Sequence, residues 1–243
     1  RVVAVSALGV ALGPGRFAVV VVFVSCLADL VAVAADVGAF GAPVVACTTA
    51  GEIGAVGYTE GEIVAVGLPA RDFVATPILV PDLGAIDLQA LIGQLIRERQ
   101  ALARARPLWQ GEFAFLLVDG LSVREDELAS ALSRGLGPVP LFGGSAGDGT
   151  RFERTFVIHE GQILQNAAVV TLIRTAARVK VFSLDHLVPT GARMVVTGAD
   201  PALRRVHAIN AEPAAAEYAR ILGKDPGQLT PFTFAAHPLV VRI

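Results

Sequence analysis

Two short runs of consecutive apolar residues organise the chain: FAVVVVFV from Phe17 to Val24 and FAFLLV from Phe113 to Val118. Both are rich in Val and Phe and lack alternation, the pattern of strands covered on both faces. A helical period follows each run, over Leu27 to Val37 and from Ser122 to about Arg134. In the second helix, Ser122 and Glu125 have the spacing of a capping box, and Leu128, Ala131 and Leu132 form an apolar side with Arg124, Glu127 and Arg134 off it. A second strand closes each unit, Pro43 to Cys47 and Pro138 to Phe142, and a strand that returns through a helix pairs parallel to the first. Further apolar runs predict two hairpins. One pairs Ile63–Leu68 with Phe73–Val80, and the other pairs Ala167–Ile173 with Val179–Leu184. A helix from Asp87 to Ala105, stopped by Pro107, joins the two units. Beyond Gly191 a strand, Met194–Thr197, leads to a short helix, Pro213–Leu222, with Gly223 as its stop.

Shifting the chain by 96 residues superimposes the units without a gap. Phe17, Ala18, Val22, Ala35, Gly41, Ala50 and Gly51 fall on Phe113, Ala114, Val118, Ala131, Gly137, Ala146 and Gly147. The order of elements repeats as well, so the pattern predicts an internally duplicated α/β fold. In it, two β-α-β-hairpin units, about 17–80 and 113–185, are related by a pseudo-twofold axis, and their mixed sheets are covered by helices.

Composition narrows the function. The chain has 243 residues, 53% of them hydrophobic, and a mean hydropathy of +0.61. The excess is Ala and Val, which suits sheets buried on both faces and a core large enough to need no disulfide or metal. With 20 basic and 22 acidic residues there is no positive field to hold a phosphate backbone, so nucleic acid is not an expected partner. Residues 17–35 carry one charge, Asp29, over a length that could span a bilayer. The Val run favours a strand, no basic cluster flanks the segment, and the matching stretch of the second unit is charged, so a membrane span is not expected. Cys26 and Cys47 sit in apolar strand contexts, as buried reduced thiols of a cytoplasmic protein do. The chain begins at Arg1 without a signal-peptide pattern and reads as a piece of a longer protein.

Candidate chemistry lies where the parallel strands end, because ligands of open α/β sheets gather beyond the carboxyl ends of such strands. The first loop offers Thr48, Thr49, Gly51 and Glu52; the second offers Gly143, Gly144, Ser145 and Asp148, with Asp119 ending the preceding strand. Glu52 and Asp148 are expected as acceptors for a ligand ammonium or amide, with Thr49 and Ser145 as hydroxyl partners. Gly143-Gly144-Ser145-Ala146-Gly147 also matches the G-x-S-x-G nucleophile elbow of serine acyl-hydrolases. An elbow needs a helix directly after the Ser, and an extended run is expected here instead, so the chain is read as no enzyme. Its four histidines, His159, His186, His207 and His237, have no metal-site spacing, which argues against a metal centre. A haem needs only one axial histidine, and so it is the cofactor that stays compatible with the sequence.

FVS at Phe23–Ser25, ACTTAGEI at Ala46–Ile53, DGLS at Asp119–Ser122 and PLFGGSAGD at Pro140–Asp148 together resemble the FIST (F-box and intracellular signal transduction) sensory domain. The resemblance places the N-terminal sensory domain over residues 1–200 and the opening of a FIST C-terminal domain over 201–243. It implies an intracellular input module that binds a small ligand, such as an amino acid or a similar polar metabolite. Occupancy would pass to a signalling partner such as a histidine kinase or a cyclic-di-GMP enzyme. A haem-binding nitric oxide sensor is the alternative the same resemblance implies. In the C-terminal pattern I-x-G-x-P-A, Ala211 stands where the family has glycine.

Overall fold

The structure is a computed structural model that describes residues 3–13, 15–149, 151–182 and 187–240. Residues 1–182 form one compact unit and residues 183–243 another.

The first unit begins with a helix that the sequence pattern did not announce, α1 (Val3–Leu12), followed by β1 (Phe17–Ser25), α2 (Leu30–Asp36) and β2 (Val44–Thr49). Asp29 starts α2 by accepting from the N–H groups of Val31 and Ala32, each at 3.1 Å. β1 and β2 pair in parallel from Val20↔Val44 to Ser25↔Thr49. The chain continues through β3 (Glu52–Gly54), β4 (Gly57–Thr59), β5 (Ile63–Pro69) and β6 (Phe73–Val80) to α3 (Leu88–Ala105). Asp87 caps α3 from Gln89 and Ala90, close to the expected start and end of this helix. β7 (Gly111–Val118), α4 (Glu125–Leu136) and β8 (Leu141–Ser145) make the second parallel pair, in register from Ala114↔Leu141 to Val118↔Ser145. β9 (Val157–His159), β10 (Gln162–Leu164) and β11 (Ala168–Thr175) complete the unit.

The larger strands form two mixed sheets, one in the order β10-β9-β2-β1-β5 and the other β6-β11-β7-β8. Side chains alternate between strand faces, which divides the core into three layers. Val19, Val21, Val45, Leu117 and Val169 fill the space between the sheets. Val20, Val22, Val24 and Val44 pack the outer face of the five-stranded sheet against Val33 and Val37. Ala114, Val118, Val170 and Leu172 pack the other sheet's outer face against Leu91 and Leu95 of α3 and Leu128 and Leu132 of α4. The result is an α/β fold with mixed sheets covered by helices. Each fully buried Val or Leu contributes about 1.5–3 kcal/mol, so the apolar runs carry most of the stabilisation.

Neither expected hairpin forms. β5 pairs with β1, whereas β6 pairs with β11 in the other sheet. The connector between them is tied to both sides: Ala70 N–H donates to Arg16 O, and the Thr175 hydroxyl donates to Asp72 O at 2.8 Å. Two apolar runs joined by a short turn look like a hairpin, yet a strand buried on both faces can equally serve another sheet. On the far side, residues 179–182 are not strand, and Ser183 and Leu184 lie outside the described residues. β11 is flanked instead by β6 and β7.

Ser122 is not the cap of α4. Val123 takes a positive φ of 52°, the chain turns there, and the helix starts after Arg124 without a side-chain cap. Glu125, Asp126 and Glu127 place negative charge in its first turn, which favours the helix dipole.

The second unit holds β12 (Val196–Asp200), β13 (Arg205–Ile209), β14 (Glu212–Pro213), α5 (Ala214–Ile221) and α6 (Pro231–Ala236). β13 and β14 are joined through Asn210 and Ala211, at φ of 51° and 65°. Both residues are left-handed, as a type I′ turn requires, so Ala211 occupies a position where glycine is unstrained. Arg220 and Asn210 hydrogen-bond to Glu217 and hold its carboxyl at a pKa of about 2. Tyr218 stacks on Phe234 at 5.1 Å and donates to His237 O.

Candidate functional site

The loops that end β2 and β8 meet. Gly147 N–H donates to Thr48 O at 2.9 Å, and a Cβ on Gly147 would lie 3.2 Å from both Ala50 N and Ala50 Cβ. Thr48, 1% exposed, is held from the other side too: its N–H donates to Phe156 O, and its hydroxyl accepts from Phe156 N–H at 3.0 Å. The two sets of sequence-expected residues therefore share one locus at the carboxyl ends of the parallel strands.

The carboxylates expected to face a ligand are turned into the protein. Glu52 is buried; one oxygen accepts from the Thr49 hydroxyl at 2.6 Å and the other from Glu62 N–H at 3.1 Å. Asp148 is buried and accepts from three successive N–H groups, Phe152 at 3.0 Å, Glu153 at 2.7 Å and Arg154 at 3.0 Å. Burial alone would raise its pKa. The three N–H groups and the nearby Arg151 charge outweigh that and hold the carboxyl below the usual range. Asp119, also buried, accepts from Leu121 N–H, the Thr155 hydroxyl and Asn166 N–H. These three acids therefore pin loops. Asp148 accepts from local backbone, the usual role of Asp in turns, whereas Asp119 also ties in Thr155 and Asn166 from far along the chain.

The remaining expected residues divide into shaping and exposed groups. A Cβ on Gly143 would fall 2.0 Å from Leu116 O, so only glycine lets β8 lie this close to β7. At Gly51 a Cβ would meet the Tyr58 ring. Gly143, Gly144 and Ser145 are exposed, because β8 is the outer strand of its sheet. Thr49 is half-buried, and its hydroxyl donates to Val24 O and to Glu52. After Ser145 the chain does not enter a helix; the next strand is β9. The nucleophile-elbow geometry is therefore absent.

Two residues outside the expected set belong to this locus. Arg151 reaches across to Cys26, its Nη2 donating to Sγ at 3.2 Å, and its Nε donates to Asp148 O at 3.3 Å. Arg151 follows the G-x-S-x-G match at a distance no motif marks. Cys47 lies in the core, where burial pushes its thiol up to about 12, so it stays protonated and unreactive at neutral pH.

Among the described residues no group of three or more His, Cys, Asp or Glu could hold a metal ion. His159 is buried in β9 with Nδ1 3.4 Å from Val44 O; His207 lies on β13 and His237 ends α6; His186 is outside the described residues. A cavity of about 490 Å³ opens at the other end of the second parallel pair, beside Gly111 and Pro140. None of the described histidines lines it, so its wall offers no axial ligand for a haem. No helix among the described residues is long and apolar enough to cross a membrane.

The described residues thus define a mixed α/β unit in which the carboxyl ends of two parallel strand pairs come together. The family model of the FIST N domain matches residues 18–212, so this chain belongs to the FIST N domain family, as the segments around Thr49 and Ser145 suggested. Domains of this family are small-ligand sensory modules of signalling proteins. No curated protein matches the chain.

Proposed function

We propose that this chain is the input module of a cytoplasmic signalling protein and binds a small polar metabolite, such as an amino acid, at the joined loops behind β2 and β8, without turning it over. The observation that carries this reading is the Gly147–Thr48 hydrogen bond, which couples the two loops so that a ligand touching one reports to both. With Glu52, Asp119 and Asp148 occupied by the protein's own donors, the groups left to a ligand carry donors and no free carboxylate of that set. These are the Ser145 hydroxyl, the exposed backbone around Gly144, and the Arg151 guanidinium. They suit the carboxylate end of an amino acid better than its ammonium end. Occupancy would pass to a partner such as a histidine kinase or a cyclic-di-GMP enzyme.

Calorimetric titration of the folded protein with each of the common amino acids tests this reading. One or a few should bind, remain chemically unchanged by mass spectrometry, and lose at least tenfold in affinity in Arg151→Ala and Ser145→Ala. Failure of every amino acid, or affinity indifferent to both substitutions, would refute the site.

A further inference from the structure

The cavity at the amino ends of β7 and β8 is built from different chemistry than the loops. Glu112 lines it and is shared by two guanidiniums: Arg99 donates through Nε and Nη2 to Oε2 at 2.9 and 2.8 Å, while Arg174 donates through Nη1 to Oε1. Arg174 is itself fixed from behind by a bond from Nε to Arg106 O at 3.0 Å. One carboxylate between two guanidiniums leaves a net positive charge, and Arg178 adds another on the same wall. Among the described residues Arg178 has no ion pair, and Arg99 has its single pair, to Glu112. The rest of the wall is mostly apolar, with Pro138, Val139, Pro140, Ala177 and Val179.

From this arrangement we infer that the cavity is a binding site for a small organic carboxylate with a short apolar body. The carboxylate would face Arg99 and Arg178, and the body would lie along the Pro138–Pro140 wall. Three features favour that class. The fixed charge excess selects an anion. Guanidiniums match the planar fork of a carboxylate. Pro138, Val139, Pro140 and Val179 give the apolar area, beside the polar Gln110, a mixture usual in small-ligand sites. The site lies at the opposite end of β7 and β8 from the loops behind β2 and β8, so the two can be occupied independently.

Trp109, the chain's one tryptophan, precedes the lining residue Gln110 and stacks under Arg106 at 5.1 Å, so its emission reports on this wall. Hexanoate and its neutral isostere hexanamide, titrated separately into the whole chain while Trp109 fluorescence is followed, test the inference. Hexanoate should bind saturably and at least tenfold more tightly than hexanamide. Arg178→Ala, at an exposed position that leaves folding intact, should weaken hexanoate at least fivefold, and Arg99→Gln should do the same. Ser145→Ala should leave the titration unchanged, which separates this site from the loop site. Equal binding of the two probes, no saturable response, or indifference to both arginine substitutions would overturn it.

Discussion

β2 and β8 are each the second strand of a parallel pair reached through a helix, yet their surroundings are opposite. β2 lies between β1 and β9 and is buried from Val44 to Thr48, whereas β8 has β7 on one side, no strand on the other among the described residues, and is exposed from Phe142 to Ser145. Composition follows neighbours. The interior strand is Val-Val-Ala-Cys-Thr-Thr; the edge strand is Leu-Phe-Gly-Gly-Ser, with Phe142 leaning on Phe115 at 5.2 Å while remaining 44% exposed. An exposed edge keeps backbone groups free for a ligand, and a strand between two others does not. The difference locates the accessible half of the candidate site on the β8 side, although both loops touch.

The sharpest way to break the comparison is to place the same charge on both strands. Val45→Asp puts an unpaired carboxylate into a fully buried position and should cost about 4 kcal/mol or more, enough to leave little folded protein in a urea titration. Gly144→Asp, where a Cβ meets nothing within 4 Å, should change stability by less than about 0.5 kcal/mol. If the two variants unfold alike, edge and interior are not distinct environments. Next in size is Asp148→Ala, which strands three N–H groups and should cost about 2–3 kcal/mol, read as a lower denaturation midpoint. Amide exchange should follow the same division, with Val45–Cys47 protected roughly a hundredfold better than Phe142–Gly144.

A smaller effect depends on pH. Because the folded pKa of Asp148 lies below its ordinary value of 3.8, the unfolded chain takes up the proton first. Its contribution is present above about pH 4 and is lost as pH falls through the lowered value. Asp148→Asn should therefore flatten the dependence of the urea midpoint between pH 5 and pH 3. The smallest stability effect is expected from Ser145→Ala, within about 0.5 kcal/mol, although the same substitution should weaken ligand binding.

Both parallel pairs and α3 were legible in the sequence because their cues are local: apolar runs, an Asp before α3, a Pro after it. The strand partners of β5 and β6 were not, since both runs are apolar enough to be buried anywhere and their connector is short whichever sheet follows. The point where each parallel pair ends was legible only approximately: Thr48, Thr49 and Gly143–Ser145, expected in loops, are the closing residues of β2 and β8, Glu52 opens β3, and β8 begins at Leu141 rather than at Pro138. The roles of Glu52, Asp119 and Asp148 were not legible, because a carboxylate that binds a ligand and one that accepts from the protein's own N–H and hydroxyl groups have the same sequence. The cavity left no trace, because Arg99, Glu112, Arg174 and Arg178 come from α3, β7, β11 and the loop after it, with no spacing that connects them.

The crossing from β5 to β6 has a consequence for how the molecule is made. When residues up to Val80 have left the ribosome, β6 has no strand to pair with and β2 has one open side; their partners arrive with Ala168–Thr175 and Val157–His159. Neither sheet can close during synthesis of the first half, so long-range closure comes late and the nascent valine-rich strands wait exposed. A cell that makes this protein quickly therefore has to keep its first hundred or so residues from associating with one another until the second half arrives.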